Sequence, residues 1–120
     1  MMHTQTMAND PRTGRAWTEI IALCKASYPW VCHLCDQPIP RGLPAGHGLA
    51  YEADHIITVN ECQRTGRHWL IHNVRNLQPS HLRCNRYRGK RPLTPALRAE
   101  IRARFTPTTR PALTFFEGNR

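Results

Sequence analysis

Four soft metal ligands stand in two tight pairs in this chain: Cys32 and Cys35 around His33-Leu34, and His81 and Cys84 around Leu82-Arg83. Two intervening residues let both members of a pair reach one tetrahedral ion, and Cys3His is an established structural zinc combination. On a helix, a spacing of three puts His81 and Cys84 on one face. Forty-five residues separate the two pairs. A shared zinc would therefore clamp the start of the domain to a distant helix across a long insertion. A redox-active pair is the rival reading for Cys32 and Cys35, but no βαβ pattern surrounds them. With 120 residues, the chain has room for one small domain with little core, a shortage that structural metals commonly remedy.

The formal charge is +9 and the pI about 10.2, so the surface carries a basic field that attracts nucleic acid or an anionic membrane. No apolar run approaches a spanning length and no basic helix carries a broad apolar face, which disfavours the membrane. Met1 to Gly14 is polar and lacks the apolar core of a signal peptide. The five cysteines are odd in number, with zinc-ligand spacing; thiolate metal binding in a reducing cytoplasm is expected rather than disulfides.

Along the chain, residues 1–14 are expected to be loose, 15–105 to form one domain with its core at 32–90, and 106–120 to be a tail. Trp17, Ile20, Ile21, Leu23 and Cys24 recur at helical spacing over Arg15 to Ala26, with Cys24 as a buried core thiol. Tyr28-Pro29 ends that helix. Ile39 to Gly48 reads as a loop, with His47 exposed. Leu49 to Val59 reads as a strand on its β-branched Ile56, Ile57 and Val59. Asn60 to Arg75 reads as irregular, with Trp69-Leu70-Ile71 as an apolar anchor and Cys62, His68 and His72 in solvated loop. Asn76 to Pro79 is extended, and Ser80 is the expected N-cap of a helix from His81 to Arg88 stopped by Gly89. Thr94-Pro95 opens another helix, to about Phe105, packing Leu97, Ile101 and Phe105 and leaving Arg98, Arg102 and Arg104 largely outward. Phe115 and Phe116 are candidates to dock on the domain.

A zinc knuckle needs nothing from Asp54, His55, Asn76 or Asn85. An Asp beside a His offers a hard oxygen ligand and a near-neutral base in one dipeptide. The ordered set is Cys32-x-x-Cys35, Asp54-His55-Ile56-Ile57, Asn76-Leu77-Gln78-Pro79 and His81-x-x-Cys84-Asn85. It resembles the HNH endonucleases of the ββα-metal fold, and most of all the small stand-alone members carried by phages and prophages. The resemblance covers Cys32 to about Lys90, roughly half the chain. Two departures stand out: Asn85 takes the place of the second His, making an HNN variant, and Thr58 stands where many members have Pro.

The resemblance implies an α+β domain with a structural Zn²⁺ on Cys32, Cys35, His81 and Cys84. It implies His55 as general base, Asp54 and Asn85 as ligands of a catalytic divalent ion, and Asn76 orienting the His55 ring through its amide oxygen. Oxygen ligands suit Mg²⁺ or Mn²⁺. The implied partner is double-stranded DNA, gripped through phosphates by Arg83, Arg86, Arg88, Lys90 and Arg91, with weak sequence preference. Arg98 and Arg102 would extend that footprint. A role beside a phage terminase in DNA packaging follows from the phage-borne relatives; homing or defence is another setting. From a different class, a zinc-stabilised DNA-binding module without catalysis would need only the basic helix and the zinc ligands. One difficulty is geometric: consecutive strand residues point to opposite faces, so Asp54 and His55 must sit at a strand end or local twist to serve one phosphate.

Overall fold

The computed structural model describes residues 10–106. They form a small α+β unit of four helices on a two-stranded antiparallel sheet: α1 (Gly14–Ser27), β1 (Tyr51–His55), α2 (Val59–Arg64), β2 (Leu77–His81), α3 (Leu82–Arg88) and α4 (Pro95–Phe105). Two short 3-10 turns, His68–Leu70 and Val74–Asn76, lie between α2 and β2. The expectation for Phe115 and Phe116 falls outside the described residues, as does that for residues 1–9. Residues 10–13, expected to be loose, are held instead: Asp10 Oδ1 accepts from the Arg12 backbone N–H at 2.9 Å, and His72 Nε2 donates to the Pro11 carbonyl at 2.7 Å.

The strands pair Tyr51 with His81 through to His55 with Leu77. One sheet face receives α1, whose stripe of Trp17, Ile20, Ile21 and Cys24 packs on Ala53 and Leu77. Leu23, assigned to that stripe from its spacing, is 47% exposed. Cys24 is a buried thiol, as its place in the stripe predicts, and it accepts from the Tyr51 hydroxyl at 3.3 Å. A second core gathers around the Cys32–Cys35 knuckle, where Leu34 and Ile39 meet Cys84 and the α4 residues Leu97 and Ile101, with Phe105 against them. The four-residue repeat of α4 thus packs as expected, and Thr94 caps the helix by accepting from the Leu97 N–H at 3.1 Å.

Several local expectations change. The strand stops at His55 rather than Val59, because Thr58 is the N-cap of α2 and accepts from the Glu61 N–H at 3.1 Å. The polar 60–75 stretch therefore contains a helix, and it buries Cys62, which is not in solvated loop. Trp69 is 68% exposed while Ile71 is buried, so only part of the expected anchor packs. Ser80 is not an N-cap but a β2 residue whose buried hydroxyl has no partner among the described residues. His81 takes the cap position instead, and the first α3 amides find other acceptors: Leu82 N donates to Ala50 O at 2.9 Å and Arg83 N to Gly48 O at 2.8 Å. Gly89 does end α3, at φ 61°, where a side chain would be strained. Among the described residues no helix is long and apolar enough to cross a membrane.

Candidate functional site

The knuckle begins as a turn. Cys32 N donates to Gln37 O and Asp36 N to Cys32 O, at 2.9 and 2.8 Å, closing the loop between Cys32 and Cys35. Asp36 adopts a left-handed φ of 67°, which a short polar side chain tolerates. Across the core, the end of β2 and the first turn of α3 bring in His81 and Cys84. All four are buried, and their ligand atoms lie within 4.8 Å of one another. A tetrahedral zinc with bonds of about 2.0–2.3 Å needs donors somewhat under 4 Å apart, so the cluster can close on an ion with little movement.

The histidine is set for that task. His81 Nε2 lies 2.9 Å from the Pro38 carbonyl. A carbonyl can only accept, so Nε2–H donates to it and Nδ1 is the ring nitrogen left for a metal. Nδ1 is the atom that faces the sulfurs, 3.3 Å from Cys35 Sγ and 3.8 Å from Cys84 Sγ. A hydrogen bond from the Cys84 thiol pulls the Cys32 pKa down. Cys84 is pushed up by the same bond, and burial raises Cys35. The donor set, three thiols and one oriented imidazole in an apolar core, fits zinc.

A cleft of about 490 Å³ opens at the far end of β1, lined by Glu52, Asp54, His55 and Trp17, by Asn85 and Lys90, and by Arg12. Strand alternation explains how Asp54 and His55 share it. Asp54 points to the α3 side, where it meets Arg88, and His55 to the α1 side, where its ring stacks on Trp17 at 5.5 Å and 10°. Because His55 is the last strand residue, the cleft wraps the strand end and touches both. Glu52, two residues before Asp54 and so on the same face, joins them; burial raises its pKa while the Arg86 charge opposes the rise.

His55 Nε2 lies 2.8 Å from the Ile71 carbonyl, so Nε2–H donates and Nδ1 is left to accept a proton. Burial lowers the His55 pKa from the ordinary histidine value, keeping the ring neutral near pH 7. Asn76 makes no hydrogen bond to this ring, contrary to the role the resemblance implied. Its Oδ1 accepts from the Ile57 N–H at 2.8 Å, and its Nδ2 donates to the Ile57 and Leu70 carbonyls at 3.0 and 3.1 Å. It ties the segment after His55 to the segment carrying Ile71, so its hold on the ring is indirect.

The basic residues divide. Arg88 is not a phosphate contact: it is buried, with Nη1 on Asp54 Oδ2 at 3.0 Å and on His55 O at 2.6 Å, and Nη2 on Ile56 O at 2.7 Å. Arg83 is also drawn inward; its guanidinium lies 4.8 Å from the Phe105 ring and donates to Phe105 O at 3.3 Å. Arg91 binds the Arg88 and Tyr87 carbonyls yet keeps an exposed side chain. Arg102 pairs with Asp36 at 3.1 Å. Arg86 and Lys90 are exposed, and Lys90 borders the cleft.

Sequence reasoning missed His33, whose Nε2 lies 2.7 Å from Asp54 Oδ2, and it missed Arg12 and Trp17 as cleft residues. Alternation along β1 was the available signal for Glu52; nothing local pointed to His33. No family model matches the chain, and neither a curated protein nor a solved structure matches it.

Proposed function

We propose that the chain is a metal-dependent DNA endonuclease of the HNH kind, with β1, β2 and α3 as its ββα-metal motif and a structural zinc on Cys32, Cys35, His81 and Cys84. The observation that carries this reading is one cleft lined by a buried carboxylate, a neutral imidazole with one nitrogen committed to a carbonyl, and an amide side chain. In it, His55 Nδ1 takes the proton of the attacking water. Ile71 holds the ring and keeps the hydrogen on Nε2, and Trp17 shields it from solvent. Asp54 and Asn85 are the residues to hold Mg²⁺ or Mn²⁺, which when bound supplies charge that polarises the scissile phosphate and stabilises the leaving oxygen. Lys90, Arg86 and Arg12 offer positive charge for the backbone of double-stranded DNA, without base reading. A part in phage DNA packaging beside a terminase rests on the sequence resemblance alone and is proposed on that footing.

The test is conversion of supercoiled plasmid by the purified protein with Mg²⁺, Mn²⁺ or EDTA, beside His55→Ala. Metal-dependent nicking or linearisation is expected, falling by about 10²–10⁴-fold in H55A, the usual contribution of general base catalysis. Salt-sensitive DNA binding with no cleavage under any metal would identify a zinc-stabilised DNA-binding module instead.

A further inference from the structure

We infer that His33, between the zinc ligands Cys32 and Cys35, is a positioning residue for Asp54, so that the knuckle which holds the fold also aims the hydrolytic metal ligand. The inference rests on the nuclease reading and adds to it a residue that zinc binding does not explain. Zinc needs thiolates at 32 and 35 and is indifferent to the chemistry of the side chain at 33. That position nevertheless holds an imidazole whose Nε2 is 2.7 Å from Asp54 Oδ2, with the two side chains only 9% and 6% exposed.

Three constraints fix the imidazole. Cys32 and Cys35 on either side are held in the buried ligand cluster. The His33 backbone N–H donates to the Pro79 carbonyl of β2 at 2.9 Å. The ring nitrogen ends on the carboxylate, which can only accept from it in either charge state of the histidine. The hold therefore does not depend on whether the ring is protonated.

On the carboxylate, two donors from separate elements meet one oxygen: His33 Nε2 from the knuckle and Arg88 Nη1 from α3, at 2.7 and 3.0 Å on Oδ2. Oδ1 makes no hydrogen bond among the described residues, while Asp54 lines the cleft. A carboxylate saturated on one oxygen cannot rotate without losing both donors, and it offers the other oxygen to a cation. Partners of this kind orient metal ligands, and their loss typically weakens metal affinity by about 10–100-fold. His33 is thus the physical link between the two metal sites.

The experiment uses the full-length, zinc-loaded protein and a pair of near-isosteric variants, His33→Gln, which retains a donor, and His33→Met, which does not. Mn²⁺ affinity is read from the electron paramagnetic resonance signal of the free ion, and zinc content by elemental analysis. H33M should bind Mn²⁺ about 10–100-fold more weakly than wild type with its zinc retained, and H33Q should recover most of the loss. Wild-type affinity in H33M, or equal loss in both variants, overturns the inference. Loss of zinc in H33M assigns His33 to the knuckle rather than to Asp54 and overturns it too. A wild-type protein that neither binds Mn²⁺ nor cuts DNA removes the nuclease reading and this inference together, whereas an active wild type with an unaffected H33M removes this inference alone.

Discussion

Arg88, in the last turn of α3, places Nη1 3.0 Å from Asp54 Oδ2, in a pair whose side chains are 0% and 6% exposed. The same guanidinium serves the His55, Ile56 and Arg91 carbonyls, so one side chain satisfies the polar groups around the end of β1. Taking one partner from a buried ion pair leaves the other uncompensated and costs about 3–5 kcal/mol. Arg88→Ala is therefore expected to lose stability on that scale in urea unfolding. Arg88→Lys should rescue poorly, because an ammonium cannot reproduce the planar fork. Arg86→Ala, at an exposed site of the same helix, should stay within about 0.5 kcal/mol of wild type while weakening DNA binding.

Zinc removal should be more damaging than any of these. Cys32, Cys35 and Cys84 belong to the same core cluster as Leu34, Leu97 and Ile101, so without metal three sulfurs and the His81 ring would be left facing one another with no ion to hold the two halves of the core together. Structural zinc in small domains contributes about 10–16 kcal/mol of apparent binding free energy at pH 7, more than a domain of this size holds in reserve. Treatment with a strong chelator, or Cys84→Ser, is expected to abolish the cooperative thermal transition. An unchanged melting curve in metal-free protein would show that the knuckle closes without an ion.

What could be read from the sequence was whatever depends on local spacing. The stripe of α1, the Thr94-Pro95 start and Leu97-Ile101-Phe105 face of α4, the Gly89 stop and the pairs Cys32/Cys35 and His81/Cys84 all follow from intervals of up to four residues, and the ligand chemistry of the two pairs points to their meeting. The reading faltered where tertiary partners decide. Ser80 looks like a helix cap, but pairing with Glu52 keeps it in β2, and carbonyls of Gly48 and Ala50 take over the capping. Arg88 reads as one more surface cation until Asp54, 34 residues away in sequence, is seen to claim it. His33 is silent in sequence for the same reason. Thr58 hid α2: its β-branched neighbours suggest a continuing strand, yet its hydroxyl caps a helix.

Asn76 gives a sharper test of how the cleft is held. Its side-chain amide pairs with both backbone groups of Ile57 and also reaches Leu70 O, next to the Ile71 carbonyl that fixes the His55 ring. Asn76→Ala leaves these half-buried backbone groups without their partner, at a cost of up to about 1–3 kcal/mol each. Asn76→Asp keeps the acceptor for the Ile57 N–H and turns both donor bonds into repulsive contacts. Both variants should lower the urea midpoint and slow plasmid cleavage while retaining zinc. If cleavage falls in neither, the link from Asn76 through Leu70 and Ile71 to His55 carries no functional weight.

The acidity of His55 gives a prediction in pH. Burial is the leading cause of its lowered pKa, and the Trp17 ring stacked on it is part of that burial. The neutral ring is the proton acceptor, so activity is lost as pH falls through the folded-state pKa. Since that value lies below the ordinary 6.5, the acid limb of kcat/KM should lie below pH 6.5, and a cation held at Asp54 would push it in the same direction. The sign for stability agrees: above pH 6.5 both states carry a neutral ring, and below it the unfolded chain binds the proton first. The contribution of His55 to stability therefore declines as pH falls toward the folded-state pKa. Trp17→Leu opens one face of the ring to water and should move the acid limb upward, toward 6.5, with cleavage at pH 8 less affected than at pH 6. A limb that stays in place in W17L would show that Trp17 packs the helix without tuning the base.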